Sequence, residues 1–137
     1  MKKLSQDQIL NFLLYAGAVY FFGVALVHSR GLKIPGFYVY YNVPSYAYQD
    51  RIISFLAFGW GGLFLLAAKK MDRDLIKLIV YIGMIAVIAL VLNTIITDFK
   101  QLDPAINGSD FKWIIGGLLF YWLGLVMHSR QHFSNNK

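Results

Sequence analysis

The chain has 137 residues, 58% of them hydrophobic and 17% aromatic against 15% charged, and it contains neither cysteine nor glutamate. Soluble domains run at about 45–50% apolar and about 25% charged, so the composition is displaced toward lipid on both axes. The missing cysteine excludes disulfide frameworks, thiol redox chemistry, iron–sulfur ligation and cysteine nucleophiles, and the missing glutamate leaves seven aspartates as the only side-chain carboxylates.

One domain is the ceiling at this length. A helix needs about 20 apolar residues to cross a hydrocarbon core of about 30 Å, and four stretches come close. The first runs from about Ile9 to Val27 and the second from about Ile52 to Ala68, both uncharged. The third runs from about Leu75 to Thr97, with Lys77 near its start. The fourth, about Phe111 to Met127, spans if Lys112 snorkels toward the headgroups. Met1-Lys2-Lys3 before an apolar run resembles a signal peptide. The run exceeds a signal h-region of about 7–15 residues, however, and Ala25-Leu26-Val27-His28 is a poor cleavage site, so a retained helix is expected. The predicted fold is an all-α, four-helix transmembrane bundle, about 9–27, 52–68, 75–97 and 111–127, in one integral membrane domain.

Four spans place the N-terminus, the second connection and the C-terminus on one side. That side holds eight basic residues, Lys2, Lys3, Lys69, Lys70, Arg73, Lys77, Arg130 and Lys137. The other holds five, Arg30, Lys33, Arg51, Lys100 and Lys112. The bias predicts both termini in the cytoplasm. With Asp7, Asp72 and Asp74 inside and Asp50, Asp98, Asp103 and Asp110 outside, nearly all of the +6 net charge falls on the cytoplasmic face. Such a face suits anionic lipid headgroups. It does not suit nucleic acid, because no soluble basic domain exists to hold it.

The second and fourth spans read alike. Asp50 opens one and Lys69-Lys70 closes it, while Asp110 opens the other and Arg130 closes it, in each case the favourable order for the helix dipole. Each also carries a glycine pair, Gly61-Gly62 and Gly116-Gly117. Ala57 with Gly61, and Gly117 with Gly124, put small residues on one helix face, where helices approach closely. Packing within the bundle is the expected role, and a homo-oligomer seam is the alternative. The ends Phe22–Arg30 and Trp122–Arg130 also echo one another, His-Ser-Arg included, but they fall on opposite faces and cannot form one site.

The one long connection, His28 to Arg51, holds the turn pair Pro35-Gly36 and then five tyrosines, Tyr38, Tyr40, Tyr41, Tyr46 and Tyr48. It is too aromatic for disorder. An aromatic belt at the extracytoplasmic headgroup level is the expected role, and a lid over an outward-facing pocket is the alternative.

The histidines do not make a metal or haem site. His28 ends the first span outside, whereas His128 and His132 end the fourth inside, about 30 Å away. His128 and His132 are spaced i, i+4 without carboxylate or cysteine support, so solvated interfacial histidines are expected, and no cofactor is evident. No ionisable residue lies near the middle of any span, which argues against proton- or cation-coupled transport. The polar end of the third span, Asn93 to Asp98, is different. Asp98 at a helix C-terminus calls for a cation, and Arg51 and Arg30 are the available answers. The expectation is a polar cluster of Asp98, Arg51 or Arg30, and Asn93 beneath the tyrosine loop with Tyr48, either as a structural ion pair or as a small pocket for a polar-headed lipophile.

Tyr48-Gln49-Asp50-Arg51, leading into Leu56-Ala57-Phe58-Gly59-Trp60-Gly61-Gly62-Leu63-Phe64-Leu65-Leu66, resembles the start of the second helix in DoxX-like small bacterial membrane proteins. The resemblance implies a four-helix protein of the bacterial inner membrane. Some members of that family are linked to quinone or thiosulfate oxidation, and no catalytic residue carries over. The functional expectation is a non-catalytic subunit or scaffold that packs through its glycine faces against itself or a membrane-protein partner. The alternative is a binder or enzyme for an amphiphile, quinone or lipid, at the outer polar pocket.

Overall fold

The computed structural model describes residues 5–135, so Lys2, Lys3 and Lys137 lie outside the described residues. Among them, four helices are long and apolar enough to cross a membrane: α1 Gln6–Ser29, α2 Ala47–Lys70, α3 Arg73–Ile96, and α5 Lys112–Asn135, which continues a 3-10 turn Gly108–Phe111. A short α4, Phe99–Leu102, precedes that turn, and the described residues hold no strand. Each long helix overruns its apolar stretch at one end or both, because hydropathy registers only the hydrocarbon-compatible part, while α3 stops at Ile96, one residue short of the forecast Thr97. Polar caps extend the rest. Ser5 and Gln8 form a capping box on α1: the Ser5 hydroxyl accepts from the Gln8 N–H at 3.2 Å, and the Gln8 amide oxygen accepts from the Ser5 N–H at 2.9 Å. The Asp72 carboxylate accepts from the N–H groups of Asp74 and Leu75 at the start of α3. Met71 ends α2 in the left-handed region, φ 49°, so the chain reverses within two residues.

One end of the bundle therefore carries the α2–α3 turn and both chain ends. The other carries the long α1–α2 loop, α4 and the 3-10 turn. Helix α1 lies between α2 and α5, and α3 packs on α5. Although α2 and α3 are neighbours in sequence and equal in length, they pack only weakly on each other. The two helices diverge from their shared turn.

The half of the bundle near the chain ends is filled. Leu10, Leu14, Ala67, Ile76, Ile79 and Leu125 are buried there together with Phe64. Gly17 makes this possible, because a Cβ on it would strike the Phe64 ring and the Tyr121 hydroxyl. Gly61 similarly admits Phe22, whose ring would stand 2.8 Å from a Cβ. A second cluster, Phe99, Ile106, Phe111 and Ile115, closes the loop end with Tyr40 and Tyr41 against it. Between the two clusters the bundle is hollow.

The small-residue expectation divides. Ala57 and Gly61 are buried, whereas a Cβ on Gly62, Gly116 or Gly117 would meet open space, and one on Gly124 would make only ordinary contact with Leu13. Outward faces are strongly apolar: Phe55, Phe120 and Ile95 are each more than 70% exposed.

Candidate functional site

The hollow is a cavity of about 520 Å³ bounded by α1, α2, α3, α5 and the α1–α2 loop. That size falls in the range of about 300–1,000 Å³ usual for small-molecule sites. Its floor is the top of the packed half, Phe64, Ile79 and Leu125. Its walls mix aromatic and aliphatic side chains, and four of the rings spend their polar tips on main-chain carbonyls. Tyr20 donates to Gly36 O at 2.7 Å, Tyr121 to Leu13 O at 2.7 Å, and the Trp122 indole to Val80 O at 2.9 Å. Tyr40 donates to Leu90 O at 3.2 Å and lies 3.1 Å from the Thr94 hydroxyl. These four rings thus contribute apolar wall while their heteroatoms are satisfied elsewhere.

Polarity is concentrated at the loop end of the cavity. His28, in the last turn of α1, sets Nδ1 3.3 Å from Asp50 Oδ1, in the first turn of α2. Both side chains are buried, at 7% and 8% exposure. The Ser45 hydroxyl donates to the other carboxylate oxygen at 2.9 Å. Tyr38 stacks on the imidazole, ring centres 3.5 Å apart and planes 16° from parallel. The pairing follows from topology. The loop returns the chain so that the α2 start lies beside the α1 end, and the positive N-terminal end of α2 favours a carboxylate there.

Tyr38 is the least satisfied member. Its ring is 4% exposed, and its hydroxyl is one of two buried polar atoms among the described residues with no hydrogen-bond partner; the other is Asn42 Oδ1, outside the cavity wall. Burial, with the Asp50 carboxylate nearby adding to it, pushes the Tyr38 phenol up to about 12. Tyr38 therefore keeps its proton and offers a neutral O–H. The loop is held down over the cavity by Phe37, which stacks on Tyr20 with ring centres 5.8 Å apart, and is braced internally by Lys33, which donates to Val43 O.

Chemically, the group can orient and hydrogen-bond a polar head. It lacks the order of a hydrolytic triad, because Ser45 bonds to the carboxylate and not to an imidazole nitrogen. Among the described residues, no group of three metal-ligating side chains occurs.

The residues singled out from sequence lie elsewhere. Asp98, Arg51 and Arg30 are exposed, and no ion pair joins them among the described residues. The chain leaves α3 at Thr97, so Asp98 is no longer at a helix C-terminus. It begins α4, and its carboxylate accepts from the Lys100 N–H at 3.1 Å. A nearby cation is then unnecessary. Asn93 is exposed and accepts from the Thr97 hydroxyl, and Tyr48 is exposed and stacked on Tyr46. None of the five lines the cavity. The reading of His128 and His132 as solvated and without carboxylate support is corrected: both are half-buried, His128 meets Gln6 at 2.7 Å and His132 meets the Asp7 carboxylate at 2.6 Å, while His28, read only as a helix end, is buried against Asp50. The tyrosines of the loop divide: Tyr38 and Tyr40 turn inward to the cavity, and Tyr46 and Tyr48 are exposed.

His28, Asp50, Ser45 and Tyr38 were missed although a signal existed. In the four-span topology, His28 and Asp50 stand at the same level on the same side, which makes them partners as plausible as Asp98 and an arginine. Compared with known proteins, the chain matches no family model, no curated protein and no solved structure.

Proposed function

We propose that this protein spans a membrane four times and binds an amphiphilic small molecule of the lipid or quinone class, with its polar head at His28 and Asp50 and its apolar body in the cavity. The observation that carries the reading is a buried carboxylate–imidazole pair at one end of an otherwise apolar cavity, because such pairs in apolar helical proteins mark functional sites by default. Membrane insertion is supported by four apolar helices whose outward faces carry large hydrophobics, a surface that water would not tolerate. On the lysine and arginine bias, both termini are cytoplasmic. The exposed Lys69, Lys70, Arg73 and Arg130 would then face anionic headgroups. On the residues Tyr48 to Leu66, we propose a DoxX-like affiliation and a bacterial inner-membrane location.

Adding back a membrane lipid extract to delipidated protein tests the binding. The wild type should gain thermal stability, whereas Ala86→Phe/Val87→Phe, which fills the cavity from α3, should gain none. An equal gain in both proteins would refute the site.

A second reading, a non-catalytic subunit or scaffold, is favoured by one observation: Gly62, Gly116 and Gly117 lie open on the surface, where a partner helix could approach closely.

A further inference from the structure

We infer that the head group recognised at the loop end of the cavity is an uncharged hydroxyl, as in a lipophilic alcohol or phenol, and not an anionic or cationic head. The inference rests on the proposed amphiphile site and assigns its chemistry.

Three features of the polar end lead there. First, no lysine or arginine lines the cavity. A phosphate, sulfate or carboxylate head would be buried without a cation and beside the Asp50 carboxylate, a costly arrangement. Second, Asp50 is not saturated. An ionised carboxylate has about four acceptor sites. Here one oxygen faces His28 at 3.3 Å and the other accepts from Ser45 at 2.9 Å, which leaves acceptor capacity for a donor on the ligand. Third, the Tyr38 hydroxyl is buried beside this group, near enough for the Asp50 carboxylate to act on it, yet it forms no direct hydrogen bond. It needs an acceptor for its proton.

One hydroxyl supplies both functions, since it donates once and accepts through its lone pairs. Donation to Asp50 and acceptance from Tyr38 would satisfy both protein groups with one ligand atom. An ammonium head has donors only, so it would leave Tyr38 unpaired. A carbonyl has acceptors only and would leave the remaining capacity of Asp50 unused.

The test compares four probes that share one bromine-tipped octyl chain on a benzene ring and differ in the para head: hydroxyl, hydrogen, carboxylate and protonated aminomethyl. The protein is held in nanodiscs with Trp113→Phe, a replacement at a residue that is 62% exposed, so that saturable bromine quenching reports Trp60 and Trp122 on the cavity wall. The phenol is expected to bind about tenfold tighter than each of the other three, the yield of one or two net hydrogen bonds. Tyr38→Phe should lower phenol affinity about fivefold and leave the unsubstituted probe unchanged. Asp50→Asn should weaken the phenol as well, and Tyr38→Phe carries the test alone if that variant does not fold. Equal affinities across the series, or tightest binding of the ammonium or carboxylate, would overturn the head-group assignment. If every probe quenches without saturation, or equally in Ala86→Phe/Val87→Phe, the cavity site itself fails.

Discussion

The His28 imidazole and the Asp50 carboxylate meet at 3.3 Å, from the last turn of one helix and the first turn of the next, with both side chains buried. They stand 22 positions apart in the chain with the α1–α2 loop between them, so the contact fixes how that loop closes over the bundle. It also sets the one strongly polar locus of a cavity whose remaining walls are apolar. Removing the carboxylate strands the buried His28 imidazole and releases the exposed Ser45 hydroxyl. Asp50→Ala is therefore expected to destabilise the protein by about 1–3 kcal/mol, the cost of a buried group left unpaired. Thermal unfolding in nanodiscs measures it, and a double-mutant cycle with His28→Ala should show coupling of about 0.5 kcal/mol or more.

The Tyr38 phenol carries a pH signature. Its pKa is raised from 10 to about 12 in the folded protein, chiefly by burial and then by the facing Asp50 carboxylate. The folded state then holds the phenolic proton more tightly than the unfolded state. The resulting stability is present in full below pH 10 and is lost as pH rises toward 12. Tyr38→Phe should flatten that part of the alkaline stability profile relative to wild type. Superimposable profiles would place the Tyr38 hydroxyl in water.

Glycine substitutions should sort by position. Gly17→Ala drives a methyl group into the Phe64 ring and the Tyr121 hydroxyl and is expected to destabilise by about 1–3 kcal/mol. Gly62→Ala and Gly116→Ala meet nothing and should be neutral or stabilising by up to about 1 kcal/mol, since alanine favours the helix. Unfolding temperature checks all three. Mass photometry in nanodiscs adds the oligomeric state, and loss of an oligomer on Gly116→Ala would favour the scaffold reading.

Tyr40 ties the loop to α3 through Leu90 O and the Thr94 hydroxyl. Tyr40→Phe keeps the ring against Phe111 and removes those bonds, so it should cost about 0.5–1.5 kcal/mol. Hydrogen exchange along residues 37–43 should accelerate in the same variant.

The helices were legible because lipid-compatible runs of about 20 residues are a strong signal; their polar extensions, capped by Ser5 on α1 and Asp72 on α3 and reaching Asn135 on α5, were not. Asp98 was misread for a local reason. Periodicity does not mark the break at Thr97, so a residue that starts α4 looked like one that ends α3. The site was legible in part: the side of the bundle, the polar locus and the involvement of the tyrosine loop follow from topology. Which acid pairs with which base does not, since Asp50 satisfies the helix-dipole rule on its own and gives no sequence sign of a second partner. Nor does the cavity. It arises from the divergence of α2 and α3, a packing outcome that no single residue announces.

Photolabelling tests ligand binding inside the bundle most directly. Native membranes containing the protein would be irradiated with a diazirine-tailed lipophilic phenol, and the labelled residues mapped by mass spectrometry. Labelling is expected at cavity-wall residues such as Trp60, Val87 and Tyr121, and it should be competed by unlabelled phenol and absent in Ala86→Phe/Val87→Phe. Labelling confined to outward residues such as Phe55, Ile95 and Phe120, and insensitive to competitor, would contradict a ligand held within the bundle.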